Sequence, residues 1–434
     1  MRLTDNAIRY TISHLLRVAF PHSTPDIQTA EGAVTAQVEG VEIRFFIMDE
    51  KTADALAAGT LEMEPATLPN GLQVPLYRQP GSDAPYGADG NTLTLHCDLV
   101  TLPFLLLSRW EEYQEGKSRD AHGRFPYAGS LNERYSLIDL PVADLYALLL
   151  RSWVMTAHPH LHVQPRTPRC ISTHDVDLIQ RFGGWLQNVR TLGADIVKYQ
   201  SVKLFRQSFR QCLAARKDRT TDPLLQACLR LRLYDKERQQ ESIFFIKAQQ
   251  KGEYDCGYDI RCDEAAFLVG KLRDMGASIG LHGGLHAAYD QHLLATEKQR
   301  LEELTGSPIS AGRQHYLRFH PLQTQRGWVR CGLTDDYTLG FADREGFRCG
   351  TCHPYPLYDL VNDCPTTVIE HPLIAMDMTF INYRKMQPEA ALDSIQRLRH
   401  TCEQAEGDFI LLWHNTTVGR NYEQWFQQVF CKIE

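Results

Sequence analysis

Long apolar runs are missing from these 434 residues; none approaches the roughly twenty that a membrane-spanning helix needs. The N-terminal stretch MRLTDNAIRYTISHLLRV is amphipathic and has no unbroken apolar core of signal-peptide length, so a cytoplasmic location is expected. An excess of basic charge is missing too. The formal net charge of -7 at pH 7 argues against whole-protein affinity for nucleic acid. Cysteine is present without a framework: twelve scattered residues in a chain this long suit buried, reduced thiols. The run CGTCH, 349 to 353, spells the c-type haem attachment pattern, but attachment needs an exported chain, and no second CxxC completes a four-cysteine zinc site. This stretch reads as a loop at the mouth of the fold.

What is there is soluble and globular, with 43% hydrophobic and 23% charged residues, and the length calls for two domains. Residues 1–165 give a mixed α+β pattern: AVTAQVEGVEIRFFIM alternates like strands, while LVTLPFLLLSRWEEYQEG and PVADLYALLLRSWVMTA have the apolar density of buried helices. Neither helix carries a nucleophile or metal-ligand constellation, so this part reads as an accessory domain with a structural or specificity role. HPHLHVQPRTPR, 158 to 169, is Pro-rich and polar and marks the boundary. Its alternate histidines are more easily solvated than preorganised for a metal.

From 166 to 434 short apolar runs alternate with helical segments, the pattern of a parallel sheet, open or closed into a barrel. In such folds chemistry gathers at the carboxyl ends of the strands. Polar residues follow apolar runs at Asp175 and Asp177, at His282 and His286, at Arg313 and at His414. Two nearby carboxylates repel unless a cation or a shared proton offsets the cost, so THDVD asks for a metal. If HGGLH is helical, the spacing of four places His282 and His286 on one face, a paired-histidine geometry. With an aspartate they make a two-His, one-carboxylate set that leaves positions open for water and substrate. Asp175 also has a plain alternative role, capping the helix that follows. His174, His320 and His371 read as structural.

These motifs together resemble the polysaccharide deacetylase family, the NodB-homology carbohydrate esterases, and more closely a bacterial surface-polysaccharide branch with an N-terminal domain of unknown function. The likeness runs over roughly residues 168 to 420, with LLSRWEEY and GRFPY as further traces. It implies a distorted (β/α) barrel at 166–434 after the smaller α+β domain at 1–165. It also implies Asp175 as catalytic base, with Asp177, His282 and His286 as ligands of a divalent ion, most plausibly zinc. RQHY matches the family's Arg-x-Pro-aromatic motif in part, implying Arg313 as the cation that orients the base and Tyr316 as the aromatic whose backbone N–H helps bind an oxyanion. Arg318 rivals Arg313, and His315 stands where proline is usual. ILLWHN implies His414 as general acid. Asp336 and Glu370 fall where this branch carries acids, without an assigned role. Gly283 replaces the family's usual hydroxyl residue, and the DVD spacing departs from its adjacent acids.

The implied activity is removal of an N-acetyl group from a sugar of a surface polysaccharide or its precursor. A non-catalytic carbohydrate-binding or assembly protein on a degenerate barrel, and a metal-dependent phosphohydrolase, are the alternatives. Between Leu178 and Gln240 thirteen Lys and Arg stand against five Asp and Glu. Such a run ordinarily means a solvated helical face. The sharper expectation is a surface for a phosphate-bearing substrate or for peripheral contact with an anionic membrane.

Overall fold

The segment Arg169–Val176 is strand β1 in the computed structural model of the protein, where residues 2–30, 33–114, 116, 119–249, 255 and 258–433 are described. It is followed by β2 (Glu241–Lys247), β3 (Ser278–Gly283), β4 (Ala311–Gln314) and β5 (Asp335–Asp336). Then come β6 (Tyr355–Asp359), β7 (Cys364–Glu370), β8 (Ala375–Met376) and β9 (Asp408–Leu412). They form one sheet in the order β6-β7-β5-β4-β3-β2-β1-β9-β8. Every neighbouring pair is parallel except β6 with β7. The fold is therefore mixed α/β with a mainly parallel sheet. The expected barrel closure is not made by strand pairing, for no ladder among the described residues joins β8 to β6. The physical reason is length. β8, one of the two edges, has two residues, too few for a closing ladder, and single bonds such as Leu373 N–H to Leu339 O (3.2 Å) are found there instead.

Strand alternation decides what the sheet shows on each face. Ile171, Ile243, Phe245, Ile410 and Leu412 belong to one apolar cluster, whereas Val176, Phe244, Ile246, Leu411 and Trp413 belong to another. Thr173, Asp175 and Asp177 continue the face of Ile171. His174 points the other way, where Nε2 meets Asp235 Oδ2 at 2.9 Å and Nδ1 the Trp413 carbonyl at 2.9 Å. That histidine is a packing residue.

In the GRQHYLRF segment the strand stops at Gln314, because Tyr316 and Leu317 have φ of 61° and 56°, outside any strand conformation. The HGGLH segment likewise leaves β3 into a turn and not a helix. Both glycines there let side-chain amides come close to the backbone. A Cβ on Gly283 would come 2.4 Å from Gln314 Oε1, and one on Gly284 1.6 Å from Gln249 Oε1.

The first half contains helix α1 (Asp5–Ala19) over a five-stranded sheet (Asp26–Ala30, Ala33–Val38, Val41–Phe45, Thr92–Leu95 and Tyr86–Asp89). Helices α2 (Thr101–Leu107), α3 (Trp110–Tyr113) and α4 (Val142–Ala157) follow. Its core is continuous with that of the second half, since Tyr10, Phe104 and Leu107 pack in the same cluster as Tyr355 and Tyr358. The LLSRWEEY motif supplies the polar part of this seam. Glu112 accepts from Arg109 Nη2 at 2.6 Å and from Arg348 Nη2 at 2.8 Å, all three side chains being buried. Burial pushes the Glu112 carboxyl up, but Arg348 and Arg109 outweigh it and hold it below the usual range. Removing one partner leaves two buried guanidinium groups uncompensated. Glu112→Ala is therefore expected to cost about 3–5 kcal/mol of unfolding free energy in a urea titration, and a cost below about 1 kcal/mol would contradict this role.

The CGTCH loop lies in the same seam, not at the mouth. The Cys352 N–H (2.7 Å) and Thr351 hydroxyl (2.5 Å) donate to Asp144 of α4. Asp144, Cys352 and His353 are close enough to hold a cation. Both Asp144 oxygens are already taken by these donors, and burial first of all keeps the Cys352 thiol protonated. The cluster reads as a hydrogen-bonded knot between the two halves.

The long connection from β1 to β2 forms α5 (Trp185–Val197), α6 (Val202–Lys217) and α7 (Pro223–Glu237). No helix among the described residues is long and apolar enough to cross a membrane.

Candidate active site

Asp175 lies one residue before the end of β1, and Arg313 one residue before the end of β4, two strands beyond β2. The Arg313 guanidinium is fully buried and donates from Nη1 to Asp175 Oδ1 (2.9 Å), from Nη2 to Thr173 Oγ1 (2.9 Å) and from Nε to the Tyr337 carbonyl (2.8 Å). Phe245 lies beneath it, with Cζ 4.6 Å from the ring centroid. Three bonds and a stacked ring leave it one geometry, and with it Asp175. Burial pushes the Asp175 carboxyl up, but His282, Arg313 and His414 together bring it below its ordinary value. The side chain is an ionised carboxylate held by a fixed cation.

Asp177 lies two residues on, on the same face, and three imidazole or carboxylate ligand atoms converge there. His282 Nε2 is 3.4 Å from Asp177 Oδ1 and His315 Nε2 is 3.6 Å from it. The ligand atoms of Asp177, His282 and His315 all lie within 4.8 Å of one another. Each histidine is oriented from behind. His282 Nδ1–H donates to the Arg313 carbonyl (3.0 Å) and His315 Nδ1–H to Asp255 Oδ1 (2.6 Å), which turns both Nε2 lone pairs inward. Burial lowers the His315 pKa to about 4, so that ring is neutral at pH 7.

Whether these groups suit a cation is tested by their hydrogen bonds. Asp177 Oδ1 and His282 Nε2 are buried atoms with no hydrogen-bond partner among the described residues. A buried acceptor pair left unsatisfied is costly unless something fills it. Their separation matches what a tetrahedral ion about 2.0–2.1 Å from each ligand would need. The donor set fits a divalent metal. One cation of the chain already reaches the pocket: Lys247 Nζ lies 3.6 Å from Asp177 Oδ1 and 2.9 Å from His315 Nε2.

Opposite the triad, His414 follows β9. Its Nδ1 is 2.7 Å from Asp377 Oδ1, and its Nε2 is 4.0 Å from Asp175 Oδ2. Burial works to lower the His414 pKa, yet the Asp377 charge and hydrogen bond, helped by Asp177 and Asp175, raise it to about 9. It is a protonated imidazole at neutral pH. A pocket of about 400 Å³ opens over these groups, and its lining includes Leu317, Met376 and Leu412 together with Arg124, Asn382 and Tyr383.

The structure thus brings together Asp175, Asp177, His282, Arg313 and His414, with Tyr316 lining the same pocket and its ring stacked on His122 at 4.4 Å. It does not bring His286 there. His286 is exposed in the turn after β3, and the four-residue spacing fails because no helix forms to align it. Its place in the cluster is taken by His315. Arg318 donates instead to the Leu285 carbonyl (2.9 Å) and stacks on Tyr289, so it braces the turn rather than the base. Asp336 and Glu370 face each other in register below the site, both fully buried. Burial raises both carboxyls, Asp336 to about 7, and their bonds go to Thr338 and to the Leu339 N–H (2.9 Å).

His315, Asp377, Lys247 and Arg124 were missed by the sequence reading. His315 had a weak signal, since it stands just past the end of β4, two residues after Arg313. Asp377 follows the short apolar β8 and obeys the strand-end rule. Arg124 had none. It comes from the GRFPY loop of the first half, where it donates to Tyr383 Oη (2.9 Å) and pairs with Asp120 (2.6 Å).

Three comparisons with known proteins bear on the chain. The model of a family of unknown function, DUF7033, matches residues 3–159. No curated protein matches. Among solved structures the chain is similar to one described as a "putative polysaccharide deacetylase from Mycobacterium smegmatis", with 15% identity and a TM-score of 0.39 over 62% of this chain and 85% of that one. The likeness is loose, and the chemistry that follows rests on the side chains.

Proposed function

We propose that the protein is a metal-dependent hydrolase that removes an N-acetyl group from a sugar of a bacterial surface polysaccharide or its precursor. The observation that carries this reading is the orphaned pair Asp177 Oδ1 and His282 Nε2, set between a carboxylate tethered by Arg313 and an imidazolium backed by Asp377. Asp177, His282 and His315 would hold the ion, and their N/O set suits zinc. When bound, the ion supplies Lewis acidity toward the acetyl carbonyl and the attacking water. Asp175 takes the proton from that water as the C–O bond forms, and Arg313 keeps the carboxylate ionised and aimed. His414 delivers its proton to the amide nitrogen as the C–N bond breaks, so acetate and a free amine leave. Asp377 holds the imidazole in place for that transfer. Leu317, Met376 and Leu412 offer an apolar wall for the acetyl methyl, and Arg124, Asn382 and Tyr383 offer polar groups for sugar hydroxyls.

The test is acetate release from a panel of acetylated glycans and sugar nucleotides, with and without added zinc. Release that stops with a chelator and returns with zinc is the expected result. Phosphate release in its place would indicate a phosphohydrolase. One observation favours a second reading, that of a non-catalytic carbohydrate-binding protein: the Lys247 ammonium already offers a counter-charge to Asp177 and His315. A protein that takes up no metal and still binds glycan would fit it.

A further inference from the structure

We propose that the α5–α6 hairpin docks the protein onto the surface of an anionic phospholipid bilayer. The first ground is exposure. Of the fifteen large apolar side chains exposed among the described residues, eight lie between Trp185 and Leu213. Trp185 and Val197, at 75% and 79%, are more open to solvent than any of the others. Single exposed apolar residues are ordinary, but a concentration of this kind marks a contact surface.

The second ground is arrangement. At about 100° per residue, Trp185, Leu186, Val189, Ile196 and Val197 fall within an arc of about 120° on α5, turned away from buried Asp195. On α6 a narrower arc of about 80° carries Val202, Phe205, Phe209 and Leu213, and the two phenyl rings stack at 6.2 Å. Arg206, Arg210 and Lys217 run along one border of that arc. An apolar stripe edged with basic residues, with a tryptophan at one end, is the form of helices that lie in a membrane interface.

Charge decides between occupants. From 185 to 217 there are seven Lys and Arg and one acid, and that acid, Asp195, is buried and bonded to Arg420. A second copy of this face would set like charge against like charge, whereas anionic headgroups answer the basic and the apolar parts together. The positive surface continues into a pocket of about 580 Å³ beside α6 and α7, lined in part by Arg181, Lys203, Arg230 and Arg420. Among the described residues Arg181 and Lys203 have no carboxylate at ion-pair distance. The Asp195–Arg420 bond, 3.0 Å from Nε, also ties α5 to the loop that begins at His414. Docking would thus bring a membrane-borne substrate beside the pocket. The inference does not depend on the hydrolase reading, because it concerns binding alone.

The test is flotation of the full-length protein with vesicles of phosphatidylcholine alone or mixed with phosphatidylglycerol, at low and raised salt. Binding to the phosphatidylglycerol vesicles that weakens with salt is expected. A Trp185→Ser/Val197→Ser variant and a Lys203→Glu/Arg206→Glu/Arg210→Glu variant should each bind about tenfold less or weaker still, with unchanged thermal melts. If either variant fails to fold, the contrast between the two vesicle types with the wild-type chain still decides. Equal recovery with both vesicle types, or a wild-type dimer that Trp185→Ser converts to monomer, would overturn the proposal.

Discussion

Asp175→Asn should keep its metal and lose turnover by about a thousandfold, within the range that a positioned general base contributes. The substitution preserves shape and the contact to Arg313 Nη1 at 2.9 Å, because the amide oxygen can still accept it. It removes the basicity together with the negative charge that faces Arg313 and His414. The Asp177, His282 and His315 ligand atoms are untouched, so metal content is expected at the wild-type level. The effect should fall on kcat more than on KM, since the carboxylate is needed when the water proton leaves. A variant that lost metal together with activity would instead make Asp175 a ligand. Arg313→Lys gives a graded form of the same experiment. A lysine cannot reach Asp175, Thr173 and the Tyr337 carbonyl at once, so a partial loss with an altered pH profile is expected.

His414→Ala should remove the proton donor and lower kcat by roughly a hundredfold or more for substrates with poor leaving groups. The pH dependence carries finer information. With a pKa of about 9, His414 is protonated below that pH, and a reaction that needs the protonated form falls away as pH rises through about 9. Asp377→Asn withdraws the largest favourable interaction with the imidazolium, so the alkaline limb of kcat/KM should move down toward about 6.5, the ordinary histidine value. An alkaline limb that stayed in place would remove His414 from the role of acid. Full activity of His414→Ala would do the same.

Much of this site was legible because it obeys strand chemistry. Asp175, Asp177, His282, Arg313 and His414 each follow an apolar run, and a parallel sheet gathers such ends at one edge. The third ligand position was not legible in the same way. A spacing of four between His282 and His286 is meaningful only on a helix, and the paired glycines between them take the chain into a turn, where Gly284 N–H donates to Glu297 Oε2 at 2.8 Å. His315 stands just past the end of β4, so the strand-end rule was the better guide to the third position. Lys247 closes β2 directly after an apolar run and so obeys the same rule, whereas Arg124, in the GRFPY stretch, reaches the pocket only through tertiary packing that its own neighbours do not record. Barrel closure was obscured for a related reason, since the edge strand β8 is too short to signal how the edges of the sheet meet.

The most direct measurement is metal content by elemental analysis of zinc-loaded wild type, His286→Ala, His315→Ala and His282→Ala. Near-stoichiometric metal in wild type and His286→Ala, with loss in the other two, is the expected result. Equal metal in all four, or loss in His286→Ala with retention in His315→Ala, would contradict the triad of Asp177, His282 and His315.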